Sequence, residues 1–292
     1  MAGRPDIRAA YRHCQRRAAE HYENFPVASW LLPARLRGPV AAIYCFARDA
    51  DDLADEDQRP VDERRADLIA MQERVQILED PAAESEPEWI ALADARQRFS
   101  LPAAPFVDLV DAFIQDLEQK RYATFGEVME YCRRSANPVG RLMLYLDGNP
   151  TEEMIGYSDA VCSALQLINF YQDLHQDITE NNRIYLPQNE MAQYGVSEEM
   201  ITGGQTTFQL RNLMQFQYAR ADRLLRAGAP LGGMLRGRMG LEIRAIINGG
   251  ARVLWRLRQQ DDVFARPRLR ARDAWIILAH SLRPRRRRRN TS

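Results

Sequence analysis

Apolar residues along this chain recur mainly three and four positions apart, the period of helices that bury one face. The pattern predicts helices over 6–24, 37–56, 62–79, 88–98, 103–120, 124–146, 151–180, 205–227, 231–258 and 271–282. Phe25-Pro26 and Leu32-Pro33 interrupt the pattern early. Asn137-Pro138 bends or breaks the helix over 124–146, because proline lacks the amide donor and crowds the preceding turn. Asp80 to Pro87 reads as a loop, Asn181-Asn182-Arg183 ends the helix over 151–180, and Tyr185-Leu186-Pro187 reads as extended. Strand-like alternation is nearly absent, so an all-α single domain is the simplest account.

Two of these helices carry carboxylates where an apolar face is expected. In 48–56, Asp51 and Asp55 lie four residues apart and share a face, with Asp52 one step round. In 169–177, Asn169, Asp173 and Asp177 form an i, i+4, i+8 stripe, predicted as unbroken helix. Like charges at this spacing cost a helix ~0.2–0.5 kcal/mol per pair, a cost that a bound cation offsets. Ligands that are all oxygen, with no cysteine near, suit a hard cation such as Mg2+, which keeps water and bridges to phosphates. Several Mg2+ ions held between two such stripes would present positive charge to a diphosphate and favour its departure. The bland alternative is a pair of solvated helix faces.

The neighbours extend the pattern. Tyr44, Arg48 and Asp52 follow at i+4 spacing; Arg48 either reaches phosphate or makes an ordinary ion pair with Asp52, and Tyr44 is equally a core residue. Gln166 lies one turn before Asn169, and Arg183 and Tyr185 follow in a loop able to close over an anion. His21 and Phe25 are one turn apart, although an isolated histidine is more often structural.

The net charge is zero, but residues 1–202 hold 20 basic and 35 acidic side chains and 203–292 hold 20 and 5. Lys120 is the lone lysine. Four scattered cysteines with no C-x-x-C pair read as buried thiols in a reducing compartment. No run approaches the ~18 apolar residues of a membrane span, and the start lacks the order of a signal peptide. A cytoplasmic protein is expected, with peripheral contact to the inner membrane face through Arg285–Arg289 as one reading of that run and a solvated tail as the other. Nucleic acid is not an expected partner, since no basic-aromatic interleaving accompanies the arginines.

Four stretches carry a family resemblance: His21-Tyr-Glu-Asn-Phe25, Ala42 through Asp55, Tyr131-Cys-Arg-Arg-Ser-Ala-Asn-Pro-Val-Gly140, and Asn169 through Pro187. Over about 10–260 the chain resembles the squalene/phytoene synthases, the head-to-head prenyl synthases. Asp51-Asp52-Leu-Ala-Asp55 also fits head-to-tail enzymes, but those should repeat DDxxD where Gln172-Asp173-Leu-His-Gln-Asp177 stands. Within the family, Glu23–Val27 and Arg133–Gly140 are most similar to the hopanoid-pathway branch that forms hydroxysqualene.

The resemblance implies a helical bundle of the isoprenoid synthase type with a central substrate cavity, over 1–282, followed by a basic tail at 283–292. It implies Mg2+ without nicotinamide, and presqualene diphosphate as substrate, ionised, rearranged and trapped by water. The rival within the family condenses two farnesyl diphosphates; a rival of another class is a silent helical scaffold that docks on membranes. Carried over by position, Asp51, Asp55, Asn169, Asp173 and Asp177 would hold metal, with Asp52 in support. Arg48, Arg183 and Tyr185 would meet diphosphate. His21, Phe25, Tyr44, Tyr131 and Gln166 would line the cavity, and Asn137 is a candidate for guiding water. The chain departs from many condensing relatives at Arg133-Arg134, where a Tyr followed by a small or apolar residue is usual. It also departs from carotenoid-type members near Met239–Ile243, which lacks a Tyr.

Overall fold

The computed structural model describes residues 6–20, 31–55, 57–267 and 269–282. Among them are fifteen α-helices and no strand. In order these are α1 (Ile7–Glu20), α2 (Ala34–Asp55), α3 (Val61–Ile77), α4 (Pro87–Phe99), α5 (Ala104–Asp116), α6 (Phe125–Ser135), α7 (Asn137–Asp147) and α8 (Glu152–Gln172). There follow α9 (Leu174–Asn181), α10 (Gln188–Tyr194), α11 (Glu198–Thr202), α12 (Phe208–Gly228), α13 (Leu231–Met234), α14 (Gly237–Gln259) and α15 (Ala271–Leu282). His21, Phe25, Glu23–Val27 and the tail at 283–292 lie outside the described residues.

Local chemistry sets several boundaries. Thr124, Thr151 and Thr207 cap α6, α8 and α12, each accepting a hydrogen bond from the amide three residues on. Asn137-Pro138 separates α6 from α7, with the proline in the first turn of α7, where its missing amide costs nothing. Gly140 lets α7 approach α8: a Cβ there would lie 2.4 Å from Ser158 Oγ and 2.5 Å from Cys162 Sγ.

Four expectations need correction. The helix over 151–180 is interrupted at Asp173 (φ −104°, ψ 12°), an acid better suited to a helix end than an interior. The helix over 231–258 divides around Leu235 and Arg236, and the helix over 103–120 closes at Asp116. Between 181 and 205, α10 and α11 form where no helix is predicted; both are short and lack a long apolar stripe.

Buried side chains form two cores. One joins α1–α5 with α7, α13 and the start of α14, around Leu36, Phe46, Leu92 and Phe106. Phe46 meets Trp89 and Phe106 edge-on, at 5.9 and 5.2 Å between centroids. The other joins α6, α8–α12 and the rest of α14, around Tyr122, Tyr171, Leu213 and Tyr218. The first acidic cluster ends α2 in one core; the second sits at the α8–α9 junction in the other.

Candidate active site

The two clusters meet through Arg183. Helix α9 ends at Asn182 in the left-handed conformation (φ 51°), and the Arg183 amide turns back to the Asp177 carbonyl at 2.9 Å. Ile184 then makes a single parallel bridge with Arg121, its amide 3.0 Å from the Lys120 carbonyl, which fixes the extended Tyr185–Pro187 segment. So held, the buried Arg183 guanidinium donates to both carboxylate oxygens of Asp55, at 2.9 and 2.6 Å, and to the Asp116 carbonyl at 3.0 Å. Burial opposes its charge, yet Asp55 and Asp116 hold it more firmly protonated than an arginine in water.

On α2, Arg48 pairs with Asp52 at 2.6 Å and Asp51 at 3.2 Å, and both carboxylates are partly exposed. The ordinary i, i+4 pair foreseen for Arg48 is thus present. Tyr44, one turn earlier, is partly buried; desolvation raises its phenol, with Arg48 opposing and Asp51 and Asp52 adding. On the other side, the backbone ladder runs through the interruption: Asp173 donates to the Asn169 carbonyl at 2.9 Å and Asp177 to that of Asp173 at 2.8 Å. The three side chains therefore stay near their helical spacing.

Asp173 is paired with Arg266, at 2.7 Å from Nε. Asp177 has its carboxyl raised to about 7, first by burial and then by Asp173; Arg183 and Arg266 pull the other way and Asp55 adds to the rise. Residues from the end of α2, the α8–α9 junction and the loops after α9 and α14 thus act on one carboxyl.

Beside Arg183 lies an aromatic cluster. Tyr185 stacks on Phe170 with centroids 3.7 Å apart and planes 7° from parallel, and Tyr122 and Tyr131 each lie 5.6 Å from Tyr185. The buried Tyr131 hydroxyl donates to Asp116 Oδ2 at 2.6 Å. Asp116, at the end of α5, is raised to about 6 by desolvation, which Arg183 and Tyr131 oppose and Asp55 reinforces. Lys120 Nζ caps the same residue's carbonyl at 2.5 Å.

Gln166 and Asn169 are half-buried on α8. Asn137 is buried and accepts from Ser163 Oγ at 2.9 Å, a contact tying α7 to α8. Arg133 pairs with Glu130 in solvent, while Arg134 donates to Gln115. Asp116 and Arg266 were missed from sequence. Asp116 had a signal, continuing the buried α5 stripe of Pro105, Leu109 and Ala112 as an acid in an apolar position. Arg266 lies in an irregular loop and had none.

The donors fit a hard cation by chemistry. Among the described residues no three acidic, histidine or cysteine side chains yet converge as a ready cage, since Asp51, Asp52, Asp55 and Asp173 each face an arginine. The donors are nonetheless all oxygen, and Asp177 is a buried carboxyl raised first by desolvation and then by the neighbouring Asp173, a setting in which a bound cation would favour the ionised form.

Residues 18–274 match the family described as squalene/phytoene synthase. The chain is similar to a hydroxysqualene synthase of Rhodopseudomonas palustris, 34% identical over 249 residues covering 85% of this chain and 84% of that one. It is 32% identical to another from Sinorhizobium fredii, over 86% and 85% of the two chains. A phytoene synthase of Mycobacterium tuberculosis is 32% identical over 65% of this chain and 62% of its own. Among solved structures, a squalene synthase from Alicyclobacillus acidocaldarius superposes with a TM-score of 0.80 at 32% identity, over 87% and 95% of the chains.

Proposed function

This chain belongs to the squalene/phytoene synthase family, and from that premise we propose that it converts presqualene diphosphate to hydroxysqualene. The observation that carries the reading is the Arg183–Asp55 contact, which brings two acidic clusters 118 residues apart (Asp55 to Asp173) to one site. Mg2+ held by Asp51, Asp55, Asn169, Asp173 and Asp177, with Asp52 in support, would supply the positive charge that stabilises the departing diphosphate.

The chain's own residues do the rest. Arg183 and Arg48 add fixed cationic donors beside the acidic ligands, where an anion with several oxygens can be oriented. The C–O bond to diphosphate breaks with its electron pair leaving on oxygen, and the carbon skeleton becomes a cation. Phe170, Tyr185, Tyr131 and Tyr122 form a packed, buried aromatic cluster beside Arg183, which would border the cation with apolar, polarisable surface and exclude bulk water. After rearrangement, one water oxygen bonds the carbon and releases a proton. No electrons are gained or lost overall, so the reaction calls for no nicotinamide.

The hydroxysqualene synthases among its relatives and the Arg133-Arg134 departure support this product over condensation of farnesyl diphosphate. The test is to offer presqualene diphosphate and farnesyl diphosphate separately to the purified protein with Mg2+. Turnover of the first alone is expected. Consumption of farnesyl diphosphate to a C30 diphosphate or hydrocarbon would overturn the substrate assignment and leave the site intact.

A further inference from the structure

Helix α15 is amphipathic in the inverse sense. Its inward stripe is Asp273, Ile277 and Ser281, and the two polar members are fully buried. Polar contacts fasten it to α14: Arg252 and Arg256 reach Asp273 at 2.7 and 2.6 Å, Asn248 donates to Ser281 Oγ at 2.9 Å, and Arg244 donates to the Ser281 carbonyl at 2.7 Å. The opposite stripe, at i, i+3, i+4 and i+7, reads Trp275, Leu278, Ala279 and Leu282. Trp275 is 74% exposed and Leu282 62%. A surface helix normally buries the apolar stripe and shows the polar one, and a contiguous exposed apolar stripe marks an interaction site.

A second exposed tryptophan lies near α15. Trp255 on α14 is 47% exposed, with its ring centroid 4.1 Å from the guanidinium of Arg252, the same group that grips Asp273. Leu269, just before α15, is also exposed. The surrounding sequence is strongly cationic: Arg266, Arg268, Arg270 and Arg272 precede the stripe, and Arg283 and Arg285–Arg289 follow it with no acid after Asp273.

That charge decides the occupant. A second copy docked face to face would bring two arginine-rich segments together. An anionic bilayer satisfies both features, with the apolar stripe in the headgroup–acyl boundary and the arginines among the phosphates. No described helix is long and apolar enough to cross a membrane, so the contact is one of lying on the surface. We propose that the outer face of α15, with Trp255 beside it, docks this protein on anionic lipid membranes. The inference is independent of which prenyl diphosphate the site takes.

The test is sedimentation of the full chain with phosphatidylcholine vesicles, with and without phosphatidylglycerol. Binding to the phosphatidylglycerol vesicles is expected. The double variant Trp275→Ser/Leu282→Ser is expected to bind about tenfold less tightly, and because both side chains are exposed its circular dichroism should be unchanged. Removing 285–292 should weaken binding about fivefold for each arginine that reaches the surface, and make it less salt-sensitive. Three results would overturn the proposal: no binding to either vesicle, equal binding by the double variant and the parent, or a double variant that changes only self-association in sedimentation velocity. The last would assign the face to a second copy.

Discussion

Arg183 holds Asp55 with two hydrogen bonds, at 2.9 and 2.6 Å, across 128 positions of sequence. The arginine is buried and the aspartate partly exposed, which makes the pair both a structural tie between two cores and the point where guanidinium and carboxylates share one site. Arg183→Lys keeps a charge but loses the paired geometry. We expect it to lower stability by about 2 kcal/mol in urea unfolding, with activity reduced at least about tenfold. Unchanged activity would remove Arg183 from the site.

Asp177 gives the metal-free protein a pH signature. Its carboxyl is raised to about 7 in the fold, by burial and then Asp173, whereas the unfolded chain releases that proton near ~3.9. Between these values the folded state binds more protons, so stability falls as pH rises from about 4 to about 7 and then levels. Asp177→Asn should flatten this dependence and stabilise the chelator-treated protein above pH 7 by about 2–4 kcal/mol, while abolishing turnover. Thermal unfolding against pH reads the difference; a slope unchanged in the variant would refute the account of that carboxyl.

Arg266 occupies Asp173 in the ligand-free arrangement, at 2.7 Å. If Asp173 is a metal ligand, Mg2+ must compete with that guanidinium. Arg266→Ala should therefore let Mg2+ alone raise the melting temperature at lower concentration than in the parent. An identical Mg2+ dependence in both proteins would count against Asp173 as a ligand.

Tyr131 and Asp116 form a buried donor–acceptor pair at 2.6 Å. Tyr131→Phe and Asp116→Asn should each destabilise by about 1–3 kcal/mol, and the double variant by less than their sum, leaving a coupling of about 1–2 kcal/mol. Additive losses in denaturant unfolding would mean the contact contributes nothing of its own.

Much of this arrangement was legible in the chain. Helical periodicity gave the long elements, and carboxylates on the apolar faces around Asp51 and Asn169 marked both halves of the candidate site. The break at Asn137-Pro138 followed from proline stereochemistry. The interruption at Asp173 was harder to read, because an acid within a helical pattern does not by itself end a helix, and its pairing with Arg266, 93 residues along the chain, has no sequence spacing to reveal it. Helices α10 and α11 are too short for periodicity to register. Asp116 did leave a trace, as an acid on the buried stripe of α5, but its partnership with Tyr131 is tertiary and has no sequence spacing to reveal it.

The most direct measurement is turnover of presqualene diphosphate with Mg2+ in 18O-labelled water, followed by mass spectrometry of the lipid product. Ionisation at carbon with capture by solvent requires the hydroxyl of hydroxysqualene to carry the label, with unlabelled diphosphate released. An unlabelled alcohol, label in the released diphosphate, or a hydrocarbon product would contradict the account.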